Sequence, residues 1–150
     1  MLLSKSCVYG LRASLFIASQ SNGEYISIRE MSEKLDISFH FLTKTLQELT
    51  KAGLMESQKG PKGGVRLTRP GSEISLFEIV VAIDGFDLFT ECALGLPGCG
   101  TEKPCPLHEK WAGTRENMRE MLEETTLVEL AHKGKEMNLR ITANGGFEWV

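Results

Sequence analysis

The sequence predicts a mainly α-helical fold with one small β-hairpin. Three observations predict it. Apolar residues recur at helical spacing through much of the chain, beginning with Val8, Leu11, Leu15 and Ala18. Three capping-box patterns mark helix starts, at Ser27–Glu30, Ser75–Glu78 and Thr126–Glu129. Two short strand-like runs flank a single turn-rich tip, Lys59-Gly60-Pro61-Lys62-Gly63-Gly64. With 150 residues, 41% hydrophobic and 25% charged, the chain is long enough for one compact domain, or one domain plus an arm. No stretch approaches the ~18 consecutive apolar residues of a membrane span. The start Met1-Leu2-Leu3-Ser4-Lys5 lacks the basic, apolar and small-residue order of a secretory signal. A cytoplasmic protein with no membrane partner is therefore expected.

Each element has its own justification. Ser4 caps a helix over about residues 5–20, with Phe16 beside its apolar stripe and Ser21-Asn22-Gly23 as its stop. The box at Ser27 opens a second helix ending near Leu35. Asp36-Ile37-Ser38 is a short turn, and Ser38 caps a third helix with Phe41, Leu42, Thr45, Leu46 and Leu49 as its apolar stripe. Gly53 sits at its C-cap. Strands follow at Leu54–Gln58 and Val65–Thr68. The box at Ser75 opens a helix to about Asp84, stopped by Gly85. Residues 86–106 hold three cysteines, three prolines and three glycines and read as a loop. A long helix returns over 107–124, with Leu107, Trp111, Met118 and Leu122 on one side. The box at Thr126 opens a short helix ending before Gly134. The tail, 134–150, is polar until Phe147 and Trp149 and has no assigned role.

Two helices joined by a three-residue turn, then a basic-tipped hairpin, is the order of a winged helix-turn-helix over residues 1–85. Charge agrees with an anionic partner there. Residues 1–70 carry 10 Lys/Arg against 6 Asp/Glu, and residues 71–150 carry 7 against 14. A plain solvated basic face is the alternative. In the DNA reading, the third helix enters the major groove of a double-stranded operator. Its outward set is Ser38, Phe39, His40, Thr43, Lys44 and Gln47, while Lys59, Lys62 and Arg66 in the wing meet phosphates. Phe39 and Phe41 could both belong to the core instead, and His40 could be a surface or cap histidine.

Cys92, Cys99, Cys105 and His108 stand in the spacing C-x6-C-x5-C-x2-H. Three thiolates and an imidazole form a complete set of soft to borderline ligands. An iron–sulfur cluster, a zinc ion, a redox disulfide pair and unengaged cytosolic thiols all remain open on ligand chemistry. Structural zinc usually takes ligand pairs two to four residues apart, and only Cys105 and His108 are that close. Wider spacing suits a larger object. Cys7, in the first turn of the first helix, reads as a small packing residue. There is no Gly-rich phosphate loop, no Ser/His/Asp arrangement and no sign of a cleft, so neither catalysis nor a small-molecule substrate is expected.

These segments resemble the Rrf-type (IscR/NsrR/CymR-type) winged-helix transcription regulators of bacteria. Leu3-Ser4-Lys5 with Tyr9-Gly10-Leu11-Arg12-Ala13 looks like the family's first helix. Ile37 to Leu42, continuing through Leu46-Gln47-Glu48-Leu49 to Lys51-Ala52-Gly53-Leu54, looks like its recognition helix. Gly60 to Leu67 looks like its wing, and the loop ending Cys105-Pro106-Leu107-His108 looks like the cluster loop of its iron–sulfur members. The resemblance implies a repressor that senses redox state, nitric oxide or iron–sulfur status. It implies a homodimer through residues 107–133, with contacts at Trp111, Met118 and Leu122. It also implies a cluster on Cys92, Cys99 and Cys105. His108 matches the fourth ligand of the branch that holds 2Fe–2S. The 4Fe–4S branch takes an acid near the N-terminus, and residues 1–12 here contain none. Cys7 lies near that position, so a ligand from the partner chain is an outside candidate. A zinc-bound or metal-free repressor responding by thiol oxidation or a protein partner is the alternative. Two departures stand out: Val65 replaces an aromatic after the wing glycines, and Thr43 replaces an acid that helps select DNA sites.

Overall fold

The computed structural model describes residues 2–20 and 22–146. Ser21, Phe147 and Trp149 of the sequence reading lie outside the described residues. Helix α1 (Lys5–Gln20) is the spine. The Ser4 hydroxyl accepts the Cys7 N–H at 3.0 Å, closing its first turn. Cys7, Gly10, Ala13, Phe16 and Ile17 are buried along its face, and it packs against α3 (Phe39–Lys51), α4 (Leu76–Asp84) and α7 (Leu127–Glu136).

Helix α2 (Ile28–Leu35) starts where the Ser27 hydroxyl accepts the Glu30 N–H at 3.3 Å. Asp36 turns the chain in the left-handed region (φ 54°). Ser38 then caps α3, which buries Leu42, Leu46 and Leu49. Strands β1 (Met55–Gln58) and β2 (Gly64–Leu67) pair antiparallel, Met55 opposite Leu67 and Gln58 opposite Gly64. The wing is fastened at its base by reciprocal bonds between Ile26 and Val65, both 2.9 Å. This approach explains Gly64: its φ is +148°, and a Cβ there would lie 2.0 Å from the Ile26 carbonyl oxygen.

A 3₁₀ turn (Gly71–Glu73) leads to α4, where Ser75 and Glu78 close a reciprocal capping box. A one-turn helix α5 (Asp87–Thr90) follows, then the cysteine loop, α6 (His108–Glu124) and α7. The main core joins α1, α2, α3, the hairpin, α4 through Ile79, and α7. A smaller one gathers Cys7, Val80 and Leu122, flanked by Leu76, Phe77 and Phe89, and so ties α1 to α4 and α6.

Three expectations are corrected. Residues 86–106 are not all loop, because Phe89 packs on Phe77 with ring centroids 5.1 Å apart and so holds α5 in place. Helix α7 continues through Gly134, which is buried; the next residue, Lys135, donates to the Ser19 carbonyl near the end of α1. Leu122 is only 6% exposed and lies against Cys7 and Val80 of its own chain, so it is not available to a partner surface as expected. Trp111 and Met118 are half-buried. Part of the tail is ordered: Ile141 is buried and Arg140 bridges to Gly146. Among the described residues, no helix is long and apolar enough to cross a membrane.

Candidate metal centre and nucleic-acid interface

The cysteine loop leaves α5 and ends on the first residue of α6, so both its ends rest on helices that pack together. Short turns shape it. The Gly95 N–H donates to the Cys92 carbonyl (3.0 Å), and the His108 N–H donates to the Cys105 carbonyl (3.1 Å). These turns bring the sulfurs of Cys92, Cys99 and Cys105 within 4.8 Å of one another. Cys92 Sγ and Cys105 Sγ are 3.6 Å apart, and His108 Nδ1 is 3.6 Å from Cys99 Sγ. The three thiols therefore meet and are half-buried, while His108 stands beside them through Cys99 and is not in the group that lies within 4.8 Å of one another.

Backbone amides face the sulfurs, which is the environment thiolates need. The Cys105 N–H donates to Cys99 Sγ at 3.3 Å. The Leu96 amide, helped by the Leu94 amide and the neighbouring thiols, pulls the Cys92 thiol down to about 7. Cys99 goes the other way. The Cys105 amide draws it down, but desolvation and the adjoining Cys105 and Cys92 sulfurs outweigh that and push it up. One thiol of the set thus ionises readily and discourages the next. This donor set fits a group bound by anionic sulfur and one imidazole. Cys7 is different in kind. It is fully buried, and burial followed by the Asp84 carboxylate pushes its thiol up to about 12. It behaves as a packing residue.

The winged helix presents a continuous face. Ser38, His40, Lys44 and Gln47 are exposed along α3. Thr43 and Gln47 look across a groove to Ser57 of β1, and Phe39 and Arg29 look across the adjoining groove to Lys59. Phe39 is 41% exposed, with the Arg29 guanidinium carbon 4.5 Å from its ring centroid. Phe41 instead stands edge-on to Tyr9 at 5.3 Å and belongs to the domain's packing. The Thr43 hydroxyl donates to the Phe39 carbonyl at 2.8 Å, leaving only its acceptor lone pairs and methyl group for a ligand. Lys59 and Lys62 are exposed at the wing tip. Arg66 is not a free cation: its Nε donates to Glu56 at 2.6 Å, its Nη1 to the Gly23 carbonyl at 3.2 Å, and it lies over the Tyr25 ring. Arg29 escaped the sequence reading because an isolated arginine at a helix start carries no pattern. Phe39, the residue directly after the turn, was already in the outward set, but its pairing with Arg29 comes from the packing of α2 on α3.

A short chain of contacts runs between the two regions. Asp84, the last residue of α4, accepts the Ser4 N–H at 2.9 Å and also the Ser4 hydroxyl. Two residues on from Ser4, the Ser6 and Thr45 hydroxyls are 3.0 Å apart, joining α1 to α3. Gly10 lies where α1 meets both partners; a Cβ there would be 2.4 Å from Ile83 and 3.3 Å from Thr45.

Residues 3–133 match the Rrf2 family, described as iron-dependent transcriptional regulators. The chain is 31% identical over 132 residues to the HTH-type transcriptional regulator IscR of Serratia proteamaculans, covering 88% of this chain and 80% of that one. It is 35% identical over 140 residues to protein aau3 of Rhizobium meliloti, covering 92% and 90%. The structure of CymR, the global cysteine regulator of B. subtilis, aligns with a TM-score of 0.75 at 25% identity, covering 87% of this chain and 96% of that one. IscR and CymR are named as regulators, not enzymes.

Proposed function

The chain belongs to the Rrf2 family of transcriptional regulators, and on that premise we propose that it represses by binding operator DNA as a homodimer while reading an iron–sulfur cluster. Cys92, Cys99, Cys105 and His108 would hold the cluster. The observation that carries the reading is the convergence of three thiols within 4.8 Å beside the His108 imidazole. His108 matches the fourth ligand of the 2Fe–2S branch that the chain resembles, which favours 2Fe–2S over 4Fe–4S. Such a group, when bound, supplies a centre that oxygen, nitric oxide and iron withdrawal all alter.

The remaining work falls to the chain. Residues of α3 from Ser38 to Gln47 face the major groove, with Lys44 and Gln47 offering donors to base edges and Thr43 an acceptor or a methyl contact. Lys59 and Lys62 neutralise phosphates beside it, and Arg66 braces the wing that carries them. The dimer forms through α6, where Met118 is half-buried and Met121 is 58% exposed. Loss of order in the 92–108 loop then shifts α4 and α6 and alters how the two α3 helices are presented.

Anaerobic purification tests this. The expected result is visible absorption with stoichiometric iron and sulfide, both lost in Cys99→Ala, and operator binding that differs between loaded and stripped protein. Colourless wild-type protein, or equal binding by the two forms, would sink it. One observation favours a second reading. With Cys92 Sγ 3.6 Å from Cys105 Sγ, a small movement makes a disulfide. Two thiols would give up two protons and two electrons to a peroxide, which leaves as water. Colourless protein whose operator affinity changes on forming that bond supports the thiol switch instead. Colourless protein with one zinc per chain supports a structural ion.

A further inference from the structure

Two side chains of α6 converge on a single backbone carbonyl at the mouth of the cysteine loop. Trp111 Nε1 donates to the Glu91 carbonyl at 2.9 Å, and Arg115 Nη1 donates to the same oxygen at 2.8 Å. The two donors are four residues apart, one helical turn, so they lie on one face of α6. Glu91 immediately precedes Cys92 and follows the last residue of α5. Its carbonyl is the last fixed point before the loop begins. A surface carbonyl would ordinarily be satisfied by water. Here both lone pairs are taken by half-buried side chains that give up rotamer freedom to reach it. The neighbouring elements do not otherwise need that contact, because α4 already meets α6 through Leu122 and through Arg119 over the Phe77 ring. Arg115 adds a charge. Its Nε is buried without a hydrogen-bond partner among the described residues, so the guanidinium is not neutralised through that edge.

We propose that Trp111 and Arg115 are positioning residues of the metal centre: they clamp the Glu91 carbonyl and so fix Cys92 against Cys99, Cys105 and His108. Through the Glu91 carbonyl, one residue before Cys92, Arg115 also brings a positive charge to the start of the loop that would hold a group on anionic sulfur. The inference rests on the cluster reading for its second half. The clamp itself belongs to the chain and can be measured without metal. A cation next to such a centre favours its more negative, reduced state, so removing that charge lowers the reduction potential. A donor that only orders the loop leaves the potential alone.

Three variants separate the roles: Trp111→Phe removes one hydrogen bond and keeps the ring, Arg115→Lys keeps the charge without the planar fork, and Arg115→Gln removes the charge. In metal-free protein, hydrogen exchange at the amides of 92–105 should quicken by about fivefold in Trp111→Phe and Arg115→Gln, the worth of one modest hydrogen bond. Exchange in α1 and α3 should stay at the wild-type rate, which shows that the fold is intact. In anaerobically loaded protein, both variants should release iron to a chelator faster than wild type. Only Arg115→Gln should also shift the reduction potential negative, with Arg115→Lys restoring it. Unchanged loop exchange in both metal-free variants overturns the clamp. An unchanged potential in loaded Arg115→Gln overturns the charge role. If wild-type protein binds no cluster, the cluster reading fails, while the exchange measurement still decides the clamp.

Discussion

Cys92 and Cys7 show how one residue type takes opposite characters within a chain. Cys92 is drawn down to about 7, first by the Leu96 amide, whereas Cys7 is pushed up to about 12, first by burial. In metal-free protein, alkylation by iodoacetamide should therefore fall on Cys92 first, with a rate that rises through about pH 7 and then levels. Cys7 should remain unlabelled until the fold opens. Peptide mass mapping across a pH series checks both, and early labelling of Cys7 would contradict them. Because the Cys92 value is lowered by folding, its thiolate favours the ordered loop above the unfolded value near 9. That contribution is lost as pH falls through about 7, so loop exchange should quicken on acidification across that window. The burial of Cys7 could be read from residue type and helix position. The amides that lower Cys92 could not, since nothing in C-x6-C says which backbone groups turn inward. Gly64 is a parallel case. Its freedom to take positive φ was legible from the paired glycines, but the Ile26 carbonyl it must clear comes from 38 residues earlier. Gly64→Ala should destabilise the protein by more than ~1 kcal/mol in urea unfolding.

At the level of elements, local chemistry was a good guide wherever a helix start is fixed by its own side chains. Ser27, Ser38, Ser75 and Thr126 each accept the N–H three residues on, and each helix begins directly after its cap. Of these, Ser75 is expected to matter most. It shares a reciprocal box with Glu78, and its neighbours Ile74 and Leu76 bond to Leu127 and Thr125 at the α6–α7 junction. Ser75→Ala should cost about 1 kcal/mol in chemical denaturation, within the range of cap removals; no measurable loss would mean the junction holds α4 without its cap. Elements fixed by distant partners were not legible. Helix α5 exists because Phe89 meets Phe77, and α7 runs past Gly134 because α1 lies against it. The apolar stripe on α6 was visible, but a stripe does not state its partner: Leu122 turned to the chain's own core, and Trp111 to the Glu91 carbonyl.

Across the whole molecule, one prediction concerns the wing and the other the path from the cysteine loop to α3. The simpler one is electrostatic. Lys59→Ala and Lys62→Ala should each lower the slope of log K against log salt by about 1 without changing operator preference, whereas Arg66→Ala should act mainly through wing stability because Arg66 is engaged with Glu56 and Gly23. The other concerns coupling. Helix α4 ends at Asp84, from which the chain passes through α5 to the cysteine loop, and Asp84 holds the start of α1 through Ser4. Helix α1 in turn meets α3 through Ser6 and Thr45 and through the tight crossing at Gly10. If loop order is to alter how α3 is presented, this is the hydrogen-bonded route available to it, alongside the packing of Cys7 against Val80 and Leu122. A coupling of ordinary size would give loaded and stripped protein operator affinities differing by about 5–150-fold. Ser4→Ala removes the hydroxyl link to Asp84 and leaves the four ligands untouched, so iron content should match wild type. The ratio of operator affinities for the two forms should then move toward one, measured by titration of each form under the same salt. A ratio that stays at the wild-type value would show that the signal does not need the Ser4 hydroxyl link and is carried by the remaining Ser4 N–H bond to Asp84 and the apolar contacts of α4 and α6.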